Sequence, residues 1–329
     1  MIKEFAVDPE AVSIWERFRY VTEKFGVDQG RVISRFPKSW ASEVEKVMDD
    51  TSFLSRKRLI EALNELRKGR GNVLVSFRRQ YDRGHPWHVN AIREHESRPF
   101  FALVVKEGLQ ESNTVIAIEA AEGKDFAASR EVVARRTASK LAAAVGPLIQ
   151  ISREIIFVDP YFRPDELRWR KPLKAFLAEA IAGGRVPKRC EFHLMKYEHL
   201  LEDFGQFKSE CEKKLPEFIP RGLCLKLVRW HQIDDQGPEP GEHLHPRYIL
   251  TDVGGVRVDS GLDEGEGKET TDISLLTEEL WKRRRDEFTG ESPVFARADN
   301  DEQGNPLAVT VTGTWKGASS NRRVTGGVK

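Results

Sequence analysis

An alternation of two kinds of segment between residues 153 and 289 constrains the fold most. Short apolar runs of strand length alternate with longer segments whose apolar residues recur at helical spacing. The strand-like runs are "EIIFVD", "CEFHLM", "LCLKLVRW", "RYILTD" and "VRVDSG", and the helical segments are "KPLKAFLAEAIAGG", "LLEDFGQFKSECEKKL" and "DISLLTEELWKRRRDEF". Gly254 and Gly255 separate the last two strands, which predicts a hairpin. We therefore expect an α/β module over residues 148–300.

Residues 1–147 have a different pattern. The first 70 residues read as helical, with cap residues, apolar stripes and terminal glycines in "DPEAVSIWERFRYVTEKFG" and "SRKRLIEALNELRKG". Between residues 72 and 120, "NVLVSF", "FFALVV" and "TVIAIE" predict neighbouring strands of one sheet, and a helix is predicted over residues 129–145. We expect an α+β N-terminal domain of unknown role. For residues 301–329 we expect a short strand-like segment and a disordered tail.

Length and composition limit the class of protein. A chain of 329 residues exceeds one average domain, so two domains are expected. Lysine and arginine total 53 against 52 acidic residues, so any contact with nucleic acid must depend on a local basic patch. Three cysteines without CxxC spacing favour reduced thiols, and no apolar run reaches the roughly 20 residues that span a bilayer. These features predict a cytoplasmic protein that makes no membrane contact.

The segment "HLHPRYILTDVGGVRVDSGLDEGEG", residues 243–267, concentrates polar side chains around the predicted hairpin. His245 and Arg247 are two residues apart, so on a strand they point to the same side. Asp252 ends that strand, Ser260 ends its partner, and Asp263 follows. The pattern is H-x-R-x4-D, then six residues, then D-S-G-L-D.

This pattern resembles the signature of the phospholipase D superfamily, H-x-K-x4-D followed by G-S-x-x-N. The family's histidine, lysine, aspartate, serine and asparagine fall in that order on His245, Arg247, Asp252, Ser260 and Asp263. "IIFVDPYF" is similar to the strand that opens such modules. The resemblance covers the C-terminal module alone, and it implies a mixed sheet with helices on both faces.

The resemblance implies a phosphodiesterase that needs neither a metal nor another cofactor. In the family a histidine attacks the phosphorus to form a phosphohistidine, and a second histidine protonates the leaving oxygen. Arg247 would hold the non-bridging oxygens, Ser260 would donate a hydrogen bond to the phosphate, and Asp252 would orient the site. Because this chain carries one such motif, a complete site implies a homodimer in which each copy supplies His245.

Local basic clusters make nucleic acid the expected substrate. The resemblance then suggests a nuclease of bacterial DNA processing or anti-phage defence, a context that would involve partner proteins. Candidate substrate-binding residues are Asp159, Tyr161, His243, Arg283 and Arg284. Asp159 is equally suited to capping a turn, and the two arginines to a solvated helix face. "FRRQYDRGHPWH" at 77–88 interleaves cations with aromatic residues, as single-strand binding does, although Trp87 also fits a core position.

Other functions stay open because the motif departs from the family pattern. Asp263 replaces a neutral donor, and a carboxylate there would repel a phosphate diester unless it is protonated or turned away. The alternative is therefore a module that has lost catalysis and binds a phosphate-bearing ligand or a partner protein. A structural subunit of a larger complex is a third possibility. The carboxylates of Asp259, Asp263, Glu264 and Glu266 are a weaker candidate for a magnesium or calcium site.

Overall fold

Two β-sheets organise the chain, and the predicted α/β class is confirmed. The structure is a computed structural model that describes residues 1–49, 52–106, 114–118, 128–184, 186–196, 203–231, 245–290 and 295–317. One sheet is built from residues 3–117 and the other from residues 131–312.

The N-terminal sheet is parallel throughout, in the order β3-β2-β1-β4-β5. Its unit comprises β1 (Lys3–Val7), α1 (Trp15–Lys24), β2 (Arg31–Ser34), α2 (Trp40–Lys46), α3 (Phe53–Arg67), β3 (Leu74–Val75), α4 (Trp87–Ser97), β4 (Ala102–Val105) and β5 (Val115–Ala117). Short 3-10 turns lie at Pro9–Val12 and Arg70–Asn72. The chain adds strands on one side of β1 and then returns to place β4 on its other side, so the strand order reverses beside β1.

The prediction that residues 1–70 are helical is wrong, because β1 and β2 interrupt that region. Both are short strands with burial on both faces, so they lack the alternation that marks a half-exposed strand. The unit is α/β and not α+β, because its strands alternate with helices and pair in parallel. The three predicted strands are present in one sheet. β4 and β5 are neighbours, whereas β3 lies at the opposite edge beyond β2.

The C-terminal sheet is mixed, in the order β13-β9-β8-β7-β10-β11-β12-β6, with β14 also paired to β9. Its elements are β6 (Glu131–Arg135), α5 (Ala138–Ile151), β7 (Glu154–Val158), α6 (Leu167–Ala182), β8 (Arg189–Met195), α7 (Phe204–Lys214), β9 (Cys224–His231), β10 (Arg247–Thr251), β11 (Gly255–Val258), β12 (Thr270–Leu275), α8 (Glu278–Thr289), β13 (Ala296–Arg297) and β14 (Val309–Thr312). Strands β7, β8 and β9 are parallel, whereas β10, β11, β12 and β6 run antiparallel to their neighbours.

Two segments predicted as continuous helices begin as strands. β6 occupies the start of the helix predicted over residues 129–145, and β12 occupies the start of "DISLLTEELWKRRRDEF". The two strands pair with each other, with Asp272 opposite Val133, so the chain enters the C-terminal sheet before residue 148. A short amphipathic segment fits both the helical and the strand spacing of apolar residues. Here, pairing with a strand distant in sequence makes it a strand. The predicted strand-like segment near the end is β14, and residues after 317 lie outside the described residues.

Helices cover both faces of the C-terminal sheet, as predicted. Phe157 and Phe192 pack with α5, α6 and α7 on one face, and Ile156 and Trp230 pack with α8 on the other. Full burial of each such apolar side chain contributes about 1.5–3 kcal/mol. This three-layer core holds the strand ends that carry the candidate site.

The predicted β10–β11 hairpin is present, but its turn lies at residues 252–253, because Leu250 pairs with Gly255. Gly254 is needed for a close approach instead: a Cβ there would lie 2.3 Å from Cγ1 of Val27. Nearby, the side-chain amide of Asn72 donates a hydrogen bond of 2.8 Å to the carbonyl of Val253. The hairpin turn therefore packs against the N-terminal unit.

Candidate active site

Three chain segments meet at one edge of the C-terminal sheet. Asp159 and Tyr161 follow β7, His245 precedes β10, and Ser260 follows β11. Because β10 is antiparallel to both β7 and β11, these segments lie at the same edge. Tyr248 pairs with Val158 on β7 and Arg247 pairs with Val258 on β11, so the register brings together residues separated by about a hundred positions.

Tyr161 is the common contact of the predicted histidine and cation. The rings of His245 and Tyr161 meet edge to face at 83°, with centroids 6.3 Å apart. The guanidinium carbon of Arg247 lies 4.9 Å from the centroid of Tyr161, within the range of a cation–π contact. His245 is exposed to solvent, and Nη1 of Arg247 donates a hydrogen bond of 3.3 Å to the carbonyl of Asp259. The arrangement presents an imidazole and a guanidinium on one aromatic ring.

Asp159 ties the end of β7 to the loop after β11. Its carboxylate is fully buried and accepts hydrogen bonds from the backbone N–H of Tyr161, at 3.1 Å, and of Leu262, at 2.8 Å. Burial raises the pKa of Asp159 to about 6, although these two hydrogen bonds and the charge of Arg247 oppose the rise. Asp159 is therefore buried below His245 and Arg247, and its hydrogen bond positions Tyr161, which both of them contact.

Asp263 is the centre of a buried ion-pair cluster and is turned away from solvent. It is 1% exposed and pairs with the guanidinium of Arg136. Nη2 of Arg168 lies 2.5 Å from its Oδ2, although this contact does not have the geometry of an aligned hydrogen bond. The two cations neutralise the carboxylate, so the expected repulsion of a phosphate does not follow.

Gly261 is required for that arrangement. Its φ of +113° is unfavourable for other residues, and a Cβ there would lie 2.7 Å from Oδ1 of Asp263. The glycine lets the loop bring Asp263 against its two arginines. It also brings the backbone N–H of Leu262 to Asp159.

Asp263 and Glu264, two of the acidic residues after β11, are engaged by the protein itself. Glu264 accepts a hydrogen bond of 3.0 Å from the backbone N–H of Ala138 and forms an ion pair with Lys171 at 3.3 Å. Together with the ion pairs of Asp263, these contacts argue against the metal alternative. Within the described ranges, no group of three or more His, Cys, Asp or Glu side chains is arranged to hold a metal ion.

Asp252 lies at the opposite end of β10 from His245. Its Oδ1 accepts hydrogen bonds from the backbone N–H groups of Arg153, at 2.8 Å, and Glu154, at 3.2 Å. At about 3.4 Å per residue, the length of β10 separates this contact from the site by roughly 17 Å. Asp252 therefore anchors the start of β7 through these hydrogen bonds and lies away from the site.

The remaining predicted residues do not join the site. Arg283 is exposed on α8, with its Nε 3.7 Å from Glu287, and Arg284 pairs with the same carboxylate at 2.8 Å. The ring of Tyr248 lies 5.9 Å from the guanidinium of Arg284. Arg283 thus fits the solvated-face interpretation, whereas Arg284 is 17% exposed and holds the buried Glu287. His243 lies outside the described residues.

A cleft of about 750 Å³ adjoins the site at Tyr161, between the ends of β7 and β8 and helices α6 and α7. Its basic lining residues are Arg163, Arg168, Lys196, Lys214 and Arg229, and its acidic ones are Asp165, Glu166 and Glu210. Arg163 pairs with Asp165 and Glu166. Lys196 and Lys214 have no ion-pair partner among the described residues. The cleft therefore offers cationic and aromatic groups beside the imidazole.

Sequence reasoning missed Arg136 and Arg168, which hold Asp263. Arg136 immediately precedes the turn into α5, and Arg168 lies in the first turn of α6. No local pattern marks either residue, because each acts on a loop about a hundred positions further along the chain. Their role follows from tertiary structure alone.

Comparison with known proteins gives little. A scan against protein-family models finds no match, and a search of curated proteins also finds none. Among solved structures, the chain is similar to TrmBL2, an archaeal chromatin protein with a novel mode of DNA binding, at a TM-score of 0.25 and 10% identity, over 71% of this chain and 68% of that one. A TM-score this low does not establish a common fold, and no functional argument rests on it. In the part of the chain that the structure describes, no helix has the length and apolarity to cross a membrane.

Proposed function

We propose that the C-terminal unit is a phospholipase D-like phosphodiesterase in which His245 is the nucleophile. The observation that carries the proposal is the pairing of an exposed imidazole with a guanidinium on the ring of Tyr161. A phosphate placed over this pair would have its phosphorus near His245 and its non-bridging oxygens near Arg247. Arginine keeps its charge and binds two oxygens in parallel, which suits a phosphate whose charge grows in the transition state.

The proposed reaction proceeds in two displacements without a metal ion. A ring nitrogen of His245 bonds to the phosphorus as the bond between phosphorus and the leaving oxygen breaks, and a second imidazole protonates that oxygen. Water then breaks the phosphorus–nitrogen bond and gives its proton to the second imidazole. Ser260 leaves the β10–β11 pair at the same end as His245, where its hydroxyl can donate to the phosphate.

The second imidazole is proposed to come from another copy of the chain. His193 is buried, its Nδ1 accepts a hydrogen bond of 2.9 Å from Trp230, and its Nε2 lies 3.0 Å from Glu191. His231 ends β9, three strand spacings or about 14 Å from β10. Neither can reach a phosphate on His245. A two-fold homodimer that brings two His245 side chains together supplies the missing acid.

Nucleic acid is the substrate class that we infer for this site. The adjoining cleft combines the exposed ring of Tyr161 with Lys196 and Lys214, and such groups stack bases and contact backbone phosphates. A single-stranded segment would place one phosphodiester over His245 and a neighbouring base in the cleft.

The test is a cleavage assay with EDTA present, on single- and double-stranded DNA and RNA, for wild type and His245→Ala. Cleavage that survives chelation and is lost in the variant supports the proposal. Sedimentation equilibrium on the same samples measures the predicted dimer. Absence of cleavage of all four substrates by a dimeric wild type contradicts the nuclease assignment.

A second candidate, a module that binds phosphate without hydrolysing it, is favoured by one observation. Arg247 already contacts the ring of Tyr161 and the carbonyl of Asp259, and its Nε is buried with no hydrogen-bond partner among the described residues. A shift of the guanidinium off the Tyr161 ring would open this nitrogen to a bound anion, which would satisfy it. Binding of an uncleaved oligonucleotide that Arg247→Ala weakens and His245→Ala does not would establish this alternative.

A further inference from the structure

The N-terminal sheet has a cleft of its own, of about 460 Å³, at the carboxyl ends of β1, β2 and β3. In open α/β sheets, ligands bind outside the carboxyl ends of parallel strands, near the point where the strand order reverses. Here the order reverses beside β1, whose end forms part of the cleft. The volume falls within the ~300–1,000 Å³ range of small-molecule sites.

Asp8, at the end of β1, repeats the local geometry of Asp159 in the C-terminal site. Each follows a valine and precedes a proline. The backbone N–H of Asp8 donates to Val104 on the neighbouring β4 at 2.8 Å, as that of Asp159 donates to His193 on β8 at 3.0 Å. Each carboxylate accepts a hydrogen bond from the backbone N–H two residues further on, Glu10 for Asp8 at 3.0 Å. Asp8 therefore supplies a rigidly held acceptor at the floor of the cleft.

The loop after β3 is held in one shape by a buried amide. Asn90, 3% exposed, accepts a hydrogen bond from the backbone N–H of Asp82 and donates to the carbonyls of Asp82 and His85, at 2.8, 2.8 and 3.0 Å. This loop carries Tyr81 and Trp87, which form one wall of the cleft. The wall is therefore built before any ligand arrives.

Two indole N–H groups donate hydrogen bonds that hold the segments after β1 and β2 in place. Trp40 donates to the carbonyl of Val7 at 2.6 Å, which holds the start of α2 against the end of β1. Trp87 donates to the carbonyl of Phe36 at 3.1 Å, and the rings of Tyr81 and Phe36 meet edge to face with centroids 5.0 Å apart. Preorganised walls of this kind reduce the entropy that a ligand must lose on binding.

The lining combines three kinds of group. Tyr81 and Trp87 are aromatic, Asp8, Glu10 and Glu43 are carboxylates, and Lys46 and Arg83 are cations. Burial raises the pKa of Tyr81, and the charges of Glu43 and Asp8 raise it further, so its phenol stays a donor at neutral pH. Ring faces suit a planar base, carboxylates accept from ribose hydroxyls and base N–H groups, and the cations suit a phosphate.

We propose that this cleft binds a ribonucleoside monophosphate. The base stacks on Trp87 and Tyr81, the ribose hydroxyls donate to the carboxylates, and the phosphate contacts Arg83 at the rim. Lys46 holds Glu43 at 3.2 Å and so positions one of these carboxylates. The site is separate from His245 and gives the N-terminal unit a function of its own, whether or not the C-terminal unit cleaves phosphodiesters.

The experiment is isothermal titration calorimetry of the full chain with AMP, GMP, CMP and UMP. At least one should bind at one site per chain, and Arg83→Ala and Glu43→Gln should each weaken it about 10-fold or more, since each removes a charge-assisted hydrogen bond. Arg93→Ala and Glu96→Gln, exposed residues of α4 outside the cleft, are matched controls that should leave the affinity unchanged. His245→Ala should also leave it unchanged.

Three results would overturn the proposal. One is that none of the four nucleotides binds at millimolar concentration. Another is an affinity that falls in His245→Ala but not in Arg83→Ala or Glu43→Gln, which assigns the binding to the C-terminal site. The third is inorganic phosphate that binds as tightly as the nucleotide, because base and ribose then contribute nothing.

Discussion

In each of the two sheets, one strand ends in the same three residues, but the groups around that strand end differ. Val-Asp-Pro ends β1 at residues 7–9 and β7 at residues 158–160. Burial raises the pKa of both aspartates to about 6. Around Asp159, antiparallel β10 and β11 add an exposed histidine and a guanidinium, whereas around Asp8 parallel strands continue and loops add aromatic rings and carboxylates. In both units the strand end supplies an anchored carboxylate, and the neighbouring strands and loops decide which other groups lie beside it.

The largest expected effect is a difference in cleavage between variants of His245, near the end of β7, and of His88, near the end of β1. His245→Ala should lower phosphodiester cleavage by at least about 10³-fold, because it removes the proposed nucleophile. His88 lies near enough to Asp8 to favour its charged form, and His88→Ala should leave cleavage unchanged. Rates measured with EDTA on one oligonucleotide check both variants. Equal losses would mean that the two units form one active site.

A buried arginine–carboxylate pair in each unit tests whether the two cores are equally dependent on charge. Arg229 and Asp299 are joined by hydrogen bonds of 2.7 and 2.6 Å, and Arg79 and Glu4 by hydrogen bonds of 3.1 and 2.6 Å. Asp299→Ala should lower the free energy of unfolding by about 3–5 kcal/mol, since it leaves a guanidinium buried without this carboxylate. Glu4→Ala should cost less, because the Glu4 side chain is the more exposed of the two carboxylates, at 12% against 5% for Asp299. Urea denaturation gives both values, and the reverse order would contradict this reasoning.

The two raised pKa values predict a matching pH dependence. Each folded-state pKa of about 6 lies above the ordinary value of 3.8, so the native state binds the proton more tightly. The contribution of each aspartate to stability is therefore full below about pH 4 and is lost as the pH rises through 6, by up to about 3 kcal/mol. Relative to wild type, Asp8→Asn and Asp159→Asn should each remove this loss. Unfolding free energies from pH 4 to 7 that run parallel in wild type and variants would show that burial does not set these pKa values.

A variant of Asp252 tests whether the end of β10 opposite His245 contributes to stability alone. Asp252→Ala should lower the free energy of unfolding by about 1–2 kcal/mol, because the backbone N–H groups of Arg153 and Glu154 lose their acceptor. Cleavage by the folded variant should be retained, in contrast to His245→Ala. A loss of cleavage with stability intact would return Asp252 to the catalytic role that the motif implies.

The smallest expected effect is on oligonucleotide binding, which should depend on a lysine of the cleft beside Tyr161 but not on an arginine at the surface of α8. Lys196→Ala should reduce the dependence of oligonucleotide affinity on salt by about one phosphate contact. Arg283→Ala should change neither the affinity nor, by more than about 0.5 kcal/mol, the stability, because its side chain is 71% exposed and Glu287 keeps its ion pair with Arg284. Fluorescence anisotropy at several salt concentrations measures both, and an equal effect of the two variants would place the nucleic-acid path elsewhere.

The motif predicted that His245 and Arg247 share one side of a strand; Arg247 begins β10 and His245 precedes it, and both contact the ring of Tyr161. The same local reasoning missed β1 and β2, whose burial on both faces removes the alternation that identifies a strand. It also could not separate β6 and β12 from the helices that follow them, because each is defined by pairing with the other.

What the sequence determined by itself was the α/β class, the β10–β11 hairpin and the position of Arg247 on a strand. All three depend on periodicity and turn residues within a few positions of one another. Tertiary structure alone decided that Tyr161 lies beside that pair, that Arg136 and Arg168 neutralise Asp263, and that Asp252 fastens β7. Each of these contacts joins segments that strand pairing brings together, and the energy of such a contact leaves no signal in the local spacing of residues.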